Sequence, residues 1–194
     1  MRWSVGFLLA ASLYATSVAA VPAQTRVPLF GRTLVFGLPD GMVMANEKRN
    51  DTNVLIEYLP KGENLSSWTR LVTIQAYRGL GASPATTAQI ARQAFYPATC
   101  TKGPLYSDSG EKPFAAKLKR SLIINGCASL PPGAYPKALP GAGEQDFIMM
   151  FRDADTIYTL NYAVRGKTFS GKPPPVAIGD AEALLRATFG NVTL

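Results

Sequence analysis

Apolar and polar residues alternate most regularly near the C-terminal end of the chain. Over 156–165, Tyr158, Leu160, Tyr162 and Val164 alternate with Thr159, Asn161 and Ala163, the period-two pattern of a strand with one buried face. The apolar run Phe147-Ile148-Met149-Met150-Phe151 comes just before it, and Asp153-Ala154-Asp155 between the two is turn chemistry. Residues 146–165 therefore read as a β-hairpin. Residues 54–59 read as another strand, with Val54, Ile56 and Tyr58 on one face and Leu55, Glu57 and Leu59 on the other. A third strand spans 121–127. A short one at 33–36 ends in the turn 37–41, with 42–45 as its hairpin partner and 23–32 as a lead-in.

Helical spacing appears at Trp68, Leu71, Val72 and Gln75, which predicts a helix over 66–78 capped by Asn64 or Ser66 and stopped by Gly79. Ser83-Pro84 start a second helix that runs to Pro97. Thr86 and Gln89, with the spacing of a capping box, offer an alternative start, and Ile90, Ala91, Ala94 and Phe95 form its apolar stripe. A last helix is expected over 180–189, with Asp180 as cap and Gly190 as stop. Residues 101–113 read as a polar, turn-rich stretch. The Pro- and Gly-rich segments 130–143 and 171–175 read as loops. This order predicts an α+β fold: one domain over 24–194, an antiparallel sheet with helices packed on one face.

The start of the chain has a different pattern. Arg2 is followed by a largely apolar stretch to Val18, and small residues lie around Val18-Ala19-Ala20. Charge, apolar stretch and small residues are the three parts of a secretory signal peptide, here 1–23. The stretch is shorter than the about 20 apolar residues of a membrane-spanning helix. No second stretch reaches that length, so a periplasmic or secreted protein without a stable membrane span is expected. In an oxidising compartment the two cysteines, Cys100 and Cys127, are expected to pair rather than remain free thiols. They are too far apart for a CxxC redox motif.

Composition then limits the chemistry. The 194 residues include no His, which excludes Ser-His-Asp and Cys-His nucleophile systems and His-ligated zinc sites. Two Cys cannot make a four-Cys metal site. There is no GxSxG elbow, GxGxxG or GxxxxGK[ST] motif. No metal and no cofactor is expected. The net charge is +7, and Lys112, Lys117, Lys119 and Arg120 form the main basic cluster. Aromatic residues are not interleaved with it as a nucleic-acid platform requires, with Phe114 alone among them, so it reads as a solvated face.

Carboxylates are the remaining acid–base groups. Asp153 and Asp155 flank a turn, where Asp bonds the local backbone, and Glu144 and Asp146 read in the same structural way. Glu57 differs, because a carboxylate in the middle of a strong strand is costly to bury without a partner. It is the catalytic candidate. Trp68, Tyr77 and Tyr135 are binding candidates as the aromatic border of a groove.

Glu57-Tyr58-Leu59-Pro60-Lys61-Gly62-Glu63, followed by Trp68 and Thr73-Ile74-Gln75, resembles the E-x-x-P-x-G…W…T-x-Q opening of poorly characterised bacterial exported proteins. The similarity continues through Cys100, Cys127 and Asp155-Thr156-Ile157-Tyr158, over positions 54–165. It implies a bacterial periplasmic domain and carries no assigned chemistry. Two functional readings follow. One is an exported soluble binding or envelope-interaction domain, whose partner is a protein or small ligand of the cell envelope. The alternative is a small carboxylate-dependent hydrolase or lyase using Glu57 and a second acid.

Overall fold

A computed structural model describes residues 23–95, 100, 102–115, 117–130, 142–167 and 178–194. The proposed signal segment, most of the Pro-rich loops and Tyr135 lie outside them. In chain order the strands are β1 (Gln24–Leu29), β2 (Arg32–Gly37), β3 (Met42–Arg49), β4 (Asn53–Pro60) and β5 (Arg70–Arg78). Helix α1 (Thr87–Phe95) follows, then β6 (Lys102–Asp108), β7 (Lys112–Ala115), β8 (Leu118–Ser129), β9 (Ala142–Arg152) and β10 (Thr156–Lys167), and finally α2 (Ile178–Phe189).

One antiparallel sheet dominates, in the order β3-β4-β5-β10-β9-β8-β6, with β7 paired to the start of β8. The hairpin β1-β2 is a separate ribbon. Its position is fixed at the far end of the chain, where Val35 and Thr193 exchange two backbone hydrogen bonds of 2.9 and 3.0 Å. Strict alternation divides the large sheet into two faces. Val54, Ile56, Val72, Ile74, Leu122, Ile124, Phe147, Met149, Tyr158 and Leu160 share one core with Leu34 and Phe36 of the ribbon and Ala181, Leu185 and Phe189 of α2. The Phe36 and Phe189 rings meet edge to face at 5.7 Å.

The opposite face is divided. Under α1 it is apolar, with Ala91 packed on Ile123, Ile148, Met150 and Ile157. Further along it becomes polar. The two helices therefore lie on opposite faces of the sheet, not on one face as expected. The reason is that β8, β9 and β10 carry apolar residues at both parities over part of their length, as buried strands do. Among the described residues the fold is sheet-dominated, with two short α-helices.

The expected helix over 66–78 is instead strand β5. Val72, Ile74 and Ala76 are fully buried, while Leu71, Thr73, Gln75 and Tyr77 point the other way. The β-branched run Val72-Thr73-Ile74 suits the centre of a sheet, and Asn64 closes a local turn by accepting from Ser66 rather than capping a helix. The lead-in at 23–32 contains β1, and the stretch at 101–113 supplies β6. Strand β3 pairs with β4 rather than with β2. The 146–165 hairpin is present and extends further at both ends.

Helix α1 begins at Thr87, where the capping box places it, and not at the expected Ser83-Pro84 start. The Thr86 amide donates to Gln89 Oε1 at 2.8 Å, and the Gln89 amide to Thr86 Oγ1 at 3.2 Å. Gly190 stops α2 with φ 65°, while Asp180 lies inside the first turn instead of capping it. Arg152 anchors the segment leading into α1, donating to the carbonyls of Gly81 at 3.0 Å and Ala85 at 2.7 Å and also to that of Ser83. Cys100 and Cys127 form a disulfide with their Cα atoms 5.5 Å apart, which fits an oxidising compartment. Among the described residues no helix is long and apolar enough to cross a membrane.

Candidate functional site

The polar half of the α1-side face forms the floor of a cleft of about 390 Å³. Register assembles it. Glu57 on β4 pairs with Thr73 on β5, and Thr73 with Asn161 on β10. Leu71 pairs with Ala163, and Ala163 with Asp146 on β9. All six side chains line the cleft.

One wall comes from the loop between β4 and β5. Glu63 accepts hydrogen bonds from the Thr69 amide at 2.8 Å and hydroxyl at 2.6 Å, which folds the loop back on itself. That clamp seats Trp68 beside Leu59 and Ala163 and leaves Leu65 exposed at the rim. The Arg165 guanidinium stacks 3.5 Å from the centre of the Trp68 ring and donates to Glu144 Oε2 at 2.6 Å. Side-chain exposures of 5% and 12% make this a buried ion pair. Such a pair is retained only with good geometry, because desolvation opposes it.

Asp146 lies two residues from Glu144 on the same strand and the same face. Its carboxyl is enclosed although the residue keeps some solvent contact. Burial, reinforced by the Glu144 charge, pushes Asp146 up to about 7, against the hydrogen bond from Asn161 and the charge of Arg165. Burial also raises Glu144, with Arg165 opposing it. Asn161 is 7% exposed. Its Nδ2 donates to Asp146 Oδ1 at 3.0 Å, and its Oδ1 has no hydrogen-bond partner. Gln75 Oε1, at the same cleft, also has none.

Glu57 lines the cleft and accepts from Asn46 Nδ2 at 2.7 Å. Three strand spacings and two residues of rise separate it from Asp146, about 16 Å between backbones. That exceeds the about 5–9.5 Å between the carboxyls of glycosidase-type acid pairs. The closely spaced acids are Glu144 and Asp146. Trp68 lies at the cleft, whereas Tyr77 stands at the other end of β5, opposite Ile157, and the two do not border one groove. Asp153 behaves as a turn residue, accepting from the amides of Asp155 at 3.0 Å and Thr156 at 2.8 Å.

Two other concavities have most of their charges already paired, Lys117 at the smaller one excepted. A cleft of about 610 Å³ on the α2 side has an apolar floor including Leu122, Met149 and Phe151, with Arg120 bound to Glu182 at 2.8 Å at its edge. One of about 430 Å³ contains Lys119 and Arg152, both paired with Glu111. Lys119 and Arg120, adjacent in β8, point to opposite faces, so the basic cluster does not form one surface. Among the described residues no group of His, Cys, Asp or Glu side chains is arranged to hold a metal ion.

Sequence reasoning missed Glu144, Asp146 and Asn161 as site residues. The hairpin offered a signal. Pairing across the 153–155 turn places 146 opposite 163 and 148 opposite 161, which gathers Glu144, Asp146, Thr159 and Asn161 on one face. No known protein-family model matches the chain, and no curated protein matches it in sequence.

Proposed function

We propose that this is an exported binding domain, periplasmic or secreted, that holds a small envelope ligand in the cleft floored by β4, β5, β10 and β9. The observation that carries this reading is Asn161. Its side chain is buried in the lining of the cleft, its amide nitrogen is committed to Asp146, and its buried oxygen has no hydrogen-bond partner. Leaving such an acceptor unsatisfied costs about 1–3 kcal/mol, and folded proteins rarely retain one without a use. A ligand that donates a hydrogen bond there recovers that cost. Export is supported by the signal-like start, the disulfide and the resemblance to exported bacterial proteins.

Two measurements test the reading. Mass spectrometry of the protein made by a bacterial host should find it outside the cytoplasm with an N-terminus between Val21 and Gln24. An intact N-terminus on cytoplasmic protein would refute export. Thermal denaturation against a panel of small cations, polyols, alcohols and carboxylic acids should find stabilising compounds. A ligand present at 100 times its Kd stabilises by about 2.7 kcal/mol. Changing the exposed rim with Leu65→Arg should alter that response. A panel without any stabilising compound would count against the cleft as a binding site.

The second reading is a small hydrolase or lyase. It is favoured by Asp146, an acid raised to about 7 beside a second carboxylate, the arrangement that separates a proton donor from an ionised partner. Turnover of a glycoside or ester by the wild type, lost in Asp146→Asn with the fold intact, is the result it requires.

A further inference from the structure

We propose that the ligand is a small organic cation, an ammonium or guanidinium on a short carbon chain, with its charge held by Asp146 and Asn161 and its chain lying on Leu71 and Ala163. The inference rests on the reading of this cleft as the binding site.

The lining is rich in acceptors. Glu57, Glu144 and Asp146 all border the cleft, and among the described residues no Lys or Arg does. This holds in a chain whose net charge is +7, so the acidic lining is a local arrangement and not a reflection of composition. The guanidinium nearest by, that of Arg165, bonds Glu144 and stacks on Trp68, which leaves Asp146 as the buried acid facing the cleft. Asn161 Oδ1 and Gln75 Oε1 add two acceptors without partners. An anion would meet three carboxylates. A purely apolar ligand would leave Asn161 Oδ1 unsatisfied in a dry site. A cation with several N–H donors satisfies Asn161 and Asp146 together through charge-assisted hydrogen bonds.

Binding of this kind is coupled to protonation, because a cation favours the ionised form of the carboxyl it touches. The charged groups around Asp146 are Glu144 on its own strand, Arg165 on β10 and Glu57 across the cleft on β4. On β8, Asn125 is the residue paired with Asp146. The amine probe stays charged from pH 5.5 to 8, so a pH dependence in that range reports on Asp146 and the Glu144 carboxyl beside it.

The test is calorimetric titration of the full chain at pH 8 with putrescine and agmatine, and with 1,4-butanediol, glucose and glutarate as comparison probes. The expected result is saturable binding of the two cations and none of glutarate. Binding should weaken at least tenfold at pH 5.5 and at least tenfold in Asp146→Asn. At the exposed rim, Leu65→Lys should weaken the cations several-fold and Leu65→Glu should not. Both rim variants leave the core untouched, so they report even if a floor variant misfolds. Binding of glucose or butanediol without the cations overturns the cation inference and leaves the cleft as a binding site. Cation binding that is unchanged by Asp146→Asn and by both Leu65 variants places it elsewhere and also overturns the inference. If none of the five probes binds, the inference fails together with the reading it rests on.

Discussion

Asp146→Asn separates the charge of the cleft from its shape. The substitution keeps the size of the side chain, and the new amide oxygen can still accept from Asn161. What it removes is an ionisable group that rises from 3.8 to about 7 on folding. In the unfolded chain Asp146 loses its proton near pH 4, whereas in the folded protein it holds it to about pH 7. The native state therefore binds more protons than the unfolded state over this window, and its stability falls as pH rises. One proton of difference is worth about 1.4 kcal/mol per pH unit. Between pH 4.5 and 8 the wild type should lose about 3 kcal/mol relative to Asp146→Asn.

Urea denaturation of both proteins across that range measures the difference directly. With a urea m-value of about 2 kcal/mol/M, the midpoint of the variant should move about 1.5 M above that of the wild type at pH 8 when the two are matched at pH 4.5. Two other acids report in a different window. Glu111 keeps its proton less readily than usual despite burial, because Lys119 and the Thr87 amide bond it. Asp153 is lowered in the same way by the amides of Thr156 and Asp155 and by Arg32, again against burial. The stability these two contribute is present above their unfolded values near pH 4 and is lost as pH falls below that. It therefore does not overlap the Asp146 window. A difference between the two proteins that stays constant from pH 4.5 to 8 would refute the reasoning, because it would mean that Asp146 is ionised in the folded state throughout.

Reduction of the disulfide removes a crosslink over a sequence separation of 27. In the chain-entropy model it should lower the unfolding free energy by about 3.5 kcal/mol, as read by urea midpoints with and without reductant. Thiol titration of unreduced, unfolded protein should find no free thiol. Gly81→Ala would place a Cβ 2.3 Å from the backbone carbon of Asp155 and the amide of Thr156. It should cost about 3 kcal/mol or more, as severe overpacking does, and a melting temperature unchanged from wild type would contradict the close approach. Thr86→Ala breaks the reciprocal bonds at the start of α1 and should cost about 1 kcal/mol, checked by the same denaturation assay.

The hairpin of β9 and β10 was legible in the sequence because its alternation is long, its turn chemistry is explicit, and both strands run in one register. The capping box before α1 was legible for a similar reason, since two residues at a fixed spacing define it. Strand β5 was not. Trp68, Leu71, Val72 and Gln75 fit a helical face, and in a strand covered on both sides the same run divides between two faces, with Val72 on one and Leu71 and Gln75 on the other. What decides the outcome is tertiary: β4 and β10 stand on either side of β5 and complete its hydrogen bonding. Strand β6 was hidden in the same way, with polar residues such as Ser107 and Asp108 on an edge strand where only one side is paired. The cleft was the least legible part. Glu57 and Trp68 drew notice singly, but Asp146 and Asn161 acquire their meaning only from cross-strand register, which no local pattern contains.

The polarity of the cleft floor runs against the needs of the fold. The other face of the same strands is a continuous apolar core, and beneath α1 even this face is apolar. Asp146, Thr159 and Asn161 interrupt that pattern in the centre of the sheet, and Thr159 Oγ1 is a further buried atom without a partner. Burying polar groups in this way costs free energy unless they are fully bonded, and replacing buried polar sets by apolar residues of similar size is often neutral or stabilising by about 1–4 kcal/mol. The double variant Asp146→Leu with Asn161→Leu removes the two together, so neither is left without its partner. Arg165 and Glu144 keep each other. If the polar floor serves a ligand, this variant should be at least as stable as the wild type at pH 8 and should bind none of the cations. If it is destabilised by more than about 1 kcal/mol, beyond the spread of a volume-conserving replacement, the polar floor belongs to the architecture, and the case for a ligand at Asn161 falls.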